Sequence, residues 1–429
     1  MIAGVFFVLL FLMLFSGVPI AFGMGLVGTL GFMALTSVDA GLAMVGQVLY
    51  DTTLSYQLSI LPLFVLMGNF ISHARMSDDL YAAANTLLGH KKGGLAMATI
   101  AACSGFSAVC GSSLATVATM SKVAIPQMRQ YGYLDGLAAG AVAAGGTLGI
   151  LIPPSVVLIL YGIITENNIA ALFAAGLLPG ILGILLYIVA VRAVVAINPK
   201  AGPQGPRYSW RERAQALSKV WALLLLFVIV LGGIYGGVFT STEAAGIGAF
   251  GAFVIALLRG GLTFRVLIST LLDSARTTAL LFMVLVGAIL FGNFVNIAQF
   301  PQALSGFVTA LELDPLQVIL VITLIYLVLG CLLESMSLLL LTVPIFYPVA
   351  IGAGIDPIWF GIYTVIVIEI GMITPPIGLN AFILKATVAD IPLSTIFKGL
   401  LPFIAADIGR LALLIVFPSI ALFLVKLFY

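Results

Sequence analysis

Few side chains in this sequence can do chemistry. There are two histidines, His73 and His90, and three cysteines, Cys103, Cys110 and Cys331, with neither metal spacing nor a disulfide framework. No nucleophile–base pair or metal constellation assembles from them, which argues against an enzyme. The groups that stand out belong to the backbone instead. Gly149-Ile-Leu-Ile-Pro-Pro-Ser155 and Gly371-Met-Ile-Thr-Pro-Pro-Ile377 each interrupt an apolar segment. Two consecutive prolines remove two N–H donors and clash with the preceding turn, so a helix must break there. In a bilayer such a break is tolerated only where the freed groups line a buried, solvated or ion-filled site. The breaks lie 222 residues apart, which predicts two halves sharing one central site.

The elements that must hold those breaks are membrane spans. Of 429 residues, 62% are hydrophobic and 8% charged, with a mean hydropathy of +1.24, against about 25% charged in a soluble domain. A hydrocarbon core takes roughly 20 residues per helix, so the expected fold class is an all-α polytopic membrane protein with about 11 spans. Apolar runs fall at 2–15, 17–36, 57–74, 93–120, 136–164, 169–196, 218–238, 243–258, 278–298, 316–352, 357–389 and 399–425. The stretch Met1 to Phe15 has no basic n-region and no A-x-A site, and reads as a first span.

Flanking charges orient these runs. Arg192 to Lys219 carries six basic residues against Glu212 alone and is expected in the cytoplasm. Basic flanks on both sides of 93–128 (His90-Lys91-Lys92, then Lys122 and Arg129) put both its ends there, while Asp314 and Asp356 put both ends of 316–352 outside. Each has a small, polar middle, Ser107 to Ser113 and Gly330 to Ser337, suited to the tip of a re-entrant helical hairpin. Each hairpin is followed by its Pro-Pro break. Gly68-Asn-Phe recurs as Gly292-Asn-Phe, and Gly176-Leu-Leu-Pro as Gly399-Leu-Leu-Pro, at nearly the offset of the prolines. Opposed flanks and a common offset predict inverted repeats, as in many secondary transporters: 1–200, a cytoplasmic connecting loop 201–217, and 218–429. For one motif alone a mere kink would suffice; the paired set points to transport.

With these residues assembled, the chain resembles the large membrane subunit of TRAP (tripartite ATP-independent periplasmic) transporters, the DctM-like family. The resemblance is carried by Cys110-Gly-Ser-Ser-Leu-Ala-Thr116, Gly146-Thr-Leu-Gly-Ile-Leu-Ile-Pro-Pro-Ser155, Tyr161-Gly-Ile-Ile-Thr165, Ala175-Gly-Leu-Leu-Pro-Gly180, Ser241-Thr-Glu-Ala-Ala245 and Gly371-Met-Ile-Thr-Pro-Pro-Ile-Gly378. Cys110 and Ser241 depart from the family's usual Ser and Thr-Pro at those places.

The resemblance implies a sodium-coupled importer of an organic acid anion, working by an elevator motion in the bacterial inner membrane. Its partners would be a small four-helix TRAP membrane subunit, expected as a separate polypeptide, and a periplasmic substrate-binding protein, besides the lipid bilayer. No G-x-x-x-x-G-K-[ST] occurs, consistent with no use of ATP, and no nucleic-acid partner is expected. About two Na+ would be bound, largely by carbonyls of unwound helix. The first site would comprise Cys110, Ser112 and Ser113 facing Gly149, Ile152 and Pro153. The second would comprise Gly330 and Glu334, with Ser335 beside it, facing Gly371, Thr374 and Ile377. Ser112, Ser113, Ser155, Ser337 and Asn380 are the side chains placed to reach the anion, helped by half-helix N-termini. Ser155 could equally cap its own half-helix, and Asn380 could bond a freed carbonyl.

The remaining ionisable groups in apolar segments call for a role. Hydrogen bonding that fixes the unwound backbone is the expected role of Glu369, with cation binding as the alternative; for Glu334 ligation and a bystander role both stay open. Glu243 is expected to cap a helix, and Asp407 to pair with Arg410 three residues on. A passive channel fits poorly with two hairpins blocking the midplane. A stand-alone ion-coupled dicarboxylate carrier of related inverted-repeat fold remains the nearest rival.

Overall fold

A computed structural model describes residues 2–74 and 76–429; Met1 and Arg75 lie outside the described residues. Helices account for all the regular structure, and no strand occurs among the described residues. That is the physical expectation for apolar chain in lipid, where each backbone donor and acceptor must be met within its own segment.

The first half runs through α1 (Ile2–Phe15), α2 (Ile20–Leu35), α3 (Val38–Leu54), α4 (Ile60–His73) and α5 (Met76–Leu88). A hairpin of α6 (Gly94–Cys110) and α7 (Ser113–Gln130) follows, then the broken pair α8 (Asp135–Leu148) and α9 (Val156–Ile164), and finally α10 (Ile169–Ile197). The second half repeats this order. It has α11 (Trp210–Tyr235), α12 (Ser241–Leu258), α13 (Phe264–Ile297) and α14 (Phe300–Ala310), then the hairpin α15 (Pro315–Gly330) and α16 (Ser335–Gly352). The broken pair α17 (Pro357–Ile373) and α18 (Leu379–Thr387) comes next, followed by α19 (Leu393–Val416) and α20 (Ser419–Phe428).

Caps start these helices where the sequence supplies them. Ser209 with Glu212, Thr240 with Glu243 and Asp314 with Gln317 form reciprocal capping boxes on α11, α12 and α15. Glu243 therefore has the capping role expected of it. The first box also shortens the connecting loop: the segment expected to be loop over 201–217 is helical from Trp210. What precedes it is docked rather than free, since Gly93 N–H donates to Gly202 O and Gly205 N–H to Gly89 O.

Three further differences from the sequence reading have local causes. The run at 278–298 is the end of a 34-residue helix, α13, because no glycine or proline interrupts 264–286. Its first-half counterpart, α3 followed by a short 3-10 turn and α4, bends by 56°; Ser55 is extended there, and Pro62 cannot donate to the preceding turn. The run at 399–425 is two helices, parted at Phe417-Pro418. By length and apolarity six helices suffice to cross a membrane singly, or eight if the bent pairs α3/α4 and α8/α9 each count as one span. Helices such as α1, α2 and α17, with 14, 16 and 17 residues, fall short of that length.

Small residues bring helices into backbone contact in two separate places. Gly28 of α2 lies against the backbone of Leu290 and Phe291, and Gly287 of α13 against the carbonyl of Ala21. Elsewhere Gly140 and Gly136 of α8 meet Gly399 of α19 backbone to backbone. Without a hydrophobic driving force between helices in lipid, such close approach supplies the packing energy. One apolar core gathers α2, α4, α9, α12, α13, α16 and α17; a second gathers α6, α7, α8, α18 and α19. The first hairpin belongs to the second core, and the second hairpin to the first.

Candidate functional site

Both breaks fold the same way. After α8, a single 3-10 turn at Gly149–Leu151 ends in Ile152, which is extended and donates its N–H to Gly149 O at 3.0 Å. After α17, Thr374 is likewise extended and donates to Gly371 O at 3.1 Å. The Pro153-Pro154 and Pro375-Pro376 bonds are both cis. Each chain then restarts a helix of nine residues, α9 or α18.

Each break is pressed against the tip of its own hairpin, and glycine makes this possible. A Cβ on Gly149 would stand 2.5 Å from Ala108 N, and one on Gly371 would stand 2.7 Å from Gly330 Cα. Gly149 thus packs on the α6 side of the first tip, at Ser107 and Ala108, while a Cβ on Gly146 would stand 3.2 Å from Ser113 O and one on Gly111 would stand 3.0 Å from the Val156 side chain. At the first tip Gly111 turns the chain with φ +68°, and Ser112 caps α7 by accepting from Ala115 N–H at 3.3 Å. At the second, Glu334 caps α16 by accepting from Ser337 N–H at 3.2 Å. Gly330 packs on the backbone of Gly371, and the neighbouring Cys331 Sγ lies 3.4 Å from Thr374 O. The Thr374 hydroxyl donates to Ile370 O at 2.6 Å, leaving its oxygen lone pairs for another partner. Ile377 is half-buried just beyond Pro376.

Two expected substrate contacts have other bonds. Ser155, 1% exposed, accepts from Leu158 N–H at 3.2 Å and so caps α9. Asn380 donates through Nδ2 to Ala143 O on α8 at 3.1 Å, a carbonyl of a regular helix rather than one freed by a break. Its Oδ1 is buried without a hydrogen-bond partner among the described residues. Ser155 and Asn380 therefore fix the half-helices α9 and α18.

The two tips meet at Glu369. This α17 residue is 1% exposed; Ser113 donates to its Oε2 at 2.6 Å and Ser335 to its Oε1 at 2.5 Å. The hydrogen-bonding role expected of Glu369 holds, but its partners are side chains of both hairpins. Sequence reasoning also missed Cys331, whose thiol lies nearest Leu327 O one turn back at 3.1 Å, with Thr374 O at 3.4 Å and Pro375 O at 3.5 Å beside it across the tip. Its position at the end of the Gly330 tip was the available signal. Asp407 pairs with Arg410 as expected, at 2.8 Å, inside the protein. Tyr187 of α10 adds a hydroxyl bond to Asp407 at 2.5 Å, a contact across 220 residues that no local pattern announces.

Chemically, the centre offers oxygen. Among the described residues no group of three His, Cys, Asp or Glu side chains could hold a metal ion. The Ser113 and Ser335 hydroxyls at the starts of α7 and α16 converge on Glu369, and the carbonyls of the breaks and the Thr374 hydroxyl lie at the adjoining tip–break contacts. Such groups can shed the hydration of a hard cation onto backbone oxygens and face an anion with N–H groups.

Comparison with known proteins bears on what this centre does. The family model described as "Tripartite ATP-independent periplasmic transporter, DctM component" matches residues 7–420. A C4-dicarboxylate TRAP transporter large permease protein of Pseudomonas aeruginosa is 40% identical over 376 residues, covering 87% of each chain. A sialic acid TRAP transporter large permease protein of Vibrio cholerae is 35% identical, covering 97% of this chain and 96% of that one. In architecture the chain is similar to the Alcanivorax borkumensis YdaH transporter, with a TM-score of 0.64 over 90% of each chain at 15% identity, which speaks for the fold alone. These relatives are transporter permeases, not enzymes.

Proposed function

Because the chain belongs to the DctM component family of tripartite ATP-independent periplasmic transporters, we propose that it is the large transmembrane subunit of a sodium-coupled importer of organic acid anions. It takes an anion from periplasm to cytoplasm across a bacterial inner membrane, with a small four-helix subunit and a periplasmic binding protein as partners. The observation that carries this reading is the meeting of both hairpin tips at Glu369, each tip packed on its own break. A centre built from two equivalent parts of the chain, rich in freed backbone oxygen and poor in charge, suits ion-coupled carriage. Among the described residues no group of three His, Cys, Asp or Glu side chains gathers there.

In this reading two Na+ are held at the two tip–break junctions. Carbonyls freed around Gly149 to Pro153 serve one, and those of Gly371 to Pro375 with the Thr374 hydroxyl serve the other. The anion lies between, facing the N-termini of α7 and α16. Residues 1–200 and 210–429 act as inverted repeats joined by 201–209, and the hairpins and broken helices move together against the α2, α4, α12 and α13 scaffold in an elevator motion. Backbone dipoles and serines discriminate weakly among carboxylates, so the binding protein selects the substrate; C4-dicarboxylates and sialic acid, named for the relatives, are the first to try.

The test is uptake by the complex reconstituted in proteoliposomes with its two partners. Sodium outside should drive accumulation, whereas potassium or an imposed proton gradient should not. Uptake indifferent to sodium would remove the coupling claim while leaving the family assignment intact.

A further inference from the structure

Glu369 does something that neither tip–break junction requires. Its two carboxyl oxygens are shared between hairpins, one to Ser113 and the other to Ser335. Each serine is the first residue of the second helix of its hairpin, α7 or α16, and the two are 222 residues apart. A single buried side chain thus spans the corresponding hydroxyls of both tips. The counterpart of Glu369 at the same offset is Thr147, whose hydroxyl donates to Ala144 O and faces Tyr187 at 3.4 Å. Thr147 bonds to neither tip, so the link is single and belongs to one half alone.

Its charged surroundings do not replace these bonds. Glu334 on the second tip is of like sign, and Arg410 on α19 acts on Glu369 only through space, its own close ionic partner being Asp407. The two hydroxyls are therefore the direct donors to this carboxyl group among the described residues. Hydrogen bonds from hydroxyl to carboxylate are short and strong, and a buried polar group that loses one partner depends more on the other.

Building on the transport reading above, we propose that Glu369 is a positioning residue that clamps the two hairpin tips into one unit, so that binding at one break orders the tip at the other. The coupling runs through two hydrogen bonds on one rigid helix position. It gives a physical route by which two ion sites fill together, since a ligand that fixes one tip relieves the ordering cost at its neighbour.

The experiment is a double-mutant cycle on the reconstituted complex, read as the sodium concentration for half-maximal uptake. Ser113→Ala and Ser335→Ala should each raise it about tenfold, within the usual span of coupling effects. Together they should do little more than either alone, because either one opens the clamp. Glu369→Leu, which can bond neither hydroxyl, should give a similar rise and make both serine substitutions nearly silent. Serine effects that multiply, or that persist in full in the Glu369→Leu background, would overturn the proposal. Hydrogen exchange in sodium-free buffer supplies a readout that folding defects at Glu369 cannot mimic. Ser335→Ala should speed exchange at 107–116, the tip to which it does not belong; a change confined to 330–338 would refute the clamp. If wild-type uptake ignores sodium, the sodium reading falls and this exchange result alone decides the matter.

Discussion

The two Pro-Pro breaks share a backbone and differ in nearly everything around it. Pro153 and Pro154 are buried, and Pro154 lines an apolar crevice with Met67 and Ile71 of α4 and Leu226, Phe227 and Val230 of α11. Pro375 and Pro376 are exposed. Ile152 offers a carbonyl alone where Thr374 adds a hydroxyl, and Thr147 stands where the second half has Glu369. One break is thus wedged against α4 and α11, and the other is open and carries the polar groups. The difference teaches that pseudo-equivalent elements can divide the work: the first anchors the backbone geometry, and the second supplies most of the side-chain chemistry.

The strongest way to probe what the breaks share is to fill their glycines. Gly149→Ala and Gly371→Ala each place a Cβ against tip backbone, which cannot turn aside as a side chain could. Each substitution should cost about 1–3 kcal/mol of stability, as overpacking does, and should abolish uptake; thermal melting of the purified protein together with transport would show it. A tolerated alanine at either place would mean that this tip does not press on its break.

A second comparison separates what the breaks do not share. Thr374→Val removes a hydroxyl and keeps the shape, so the half-saturating sodium concentration should rise about tenfold, the scale of a lost hydrogen-bonding oxygen of roughly 1–1.5 kcal/mol. Unchanged sodium affinity would tell against side-chain ligation at the second break. Next in size is the cap on the first break. Ser155→Ala should lower stability by about 1 kcal/mol with sodium affinity unaltered, whereas a shift in substrate affinity would restore Ser155 as a contact.

The smallest effect lies where the halves are tied outside the membrane core. Arg129, ending the first hairpin, bonds both Asp135 at 2.7 Å and Asp390 at 2.5 Å; Asp390 follows the second half-helix α18. Its hydrogen bond to Arg129 holds the Asp390 carboxyl below the usual aspartate value. A depressed folded value means that the stabilisation is complete above the unfolded value of about 3.9 and is lost as pH falls through the folded one. Asp390→Asn should therefore leave melting temperature nearly unchanged from pH 6 to 8, and should flatten its decline only in acid, near pH 4 and below. A large loss at neutral pH would show that this surface tie matters more than exposure suggests.

Much of this was legible in the chain itself. Consecutive prolines dictate a break whatever surrounds them, and glycine at 149 and 371 signals close approach, because both are backbone constraints that act within a few residues. Capping boxes at Ser209 and Thr240 are equally local, as is the Asp407 and Arg410 pair three apart on one helix. Apolar length and composition fixed the membrane class, because lipid leaves a spanning chain few ways to satisfy its backbone. Tertiary structure decided the rest. Only packing could bring Ser113 across 256 residues to Glu369, set Tyr187 on Asp407, turn Asn380 toward α8 and bury one Pro-Pro pair while exposing the other. Those outcomes depend on which surfaces meet between helices distant in sequence, and the 3.6-residue period of a helix carries no record of its eventual neighbour.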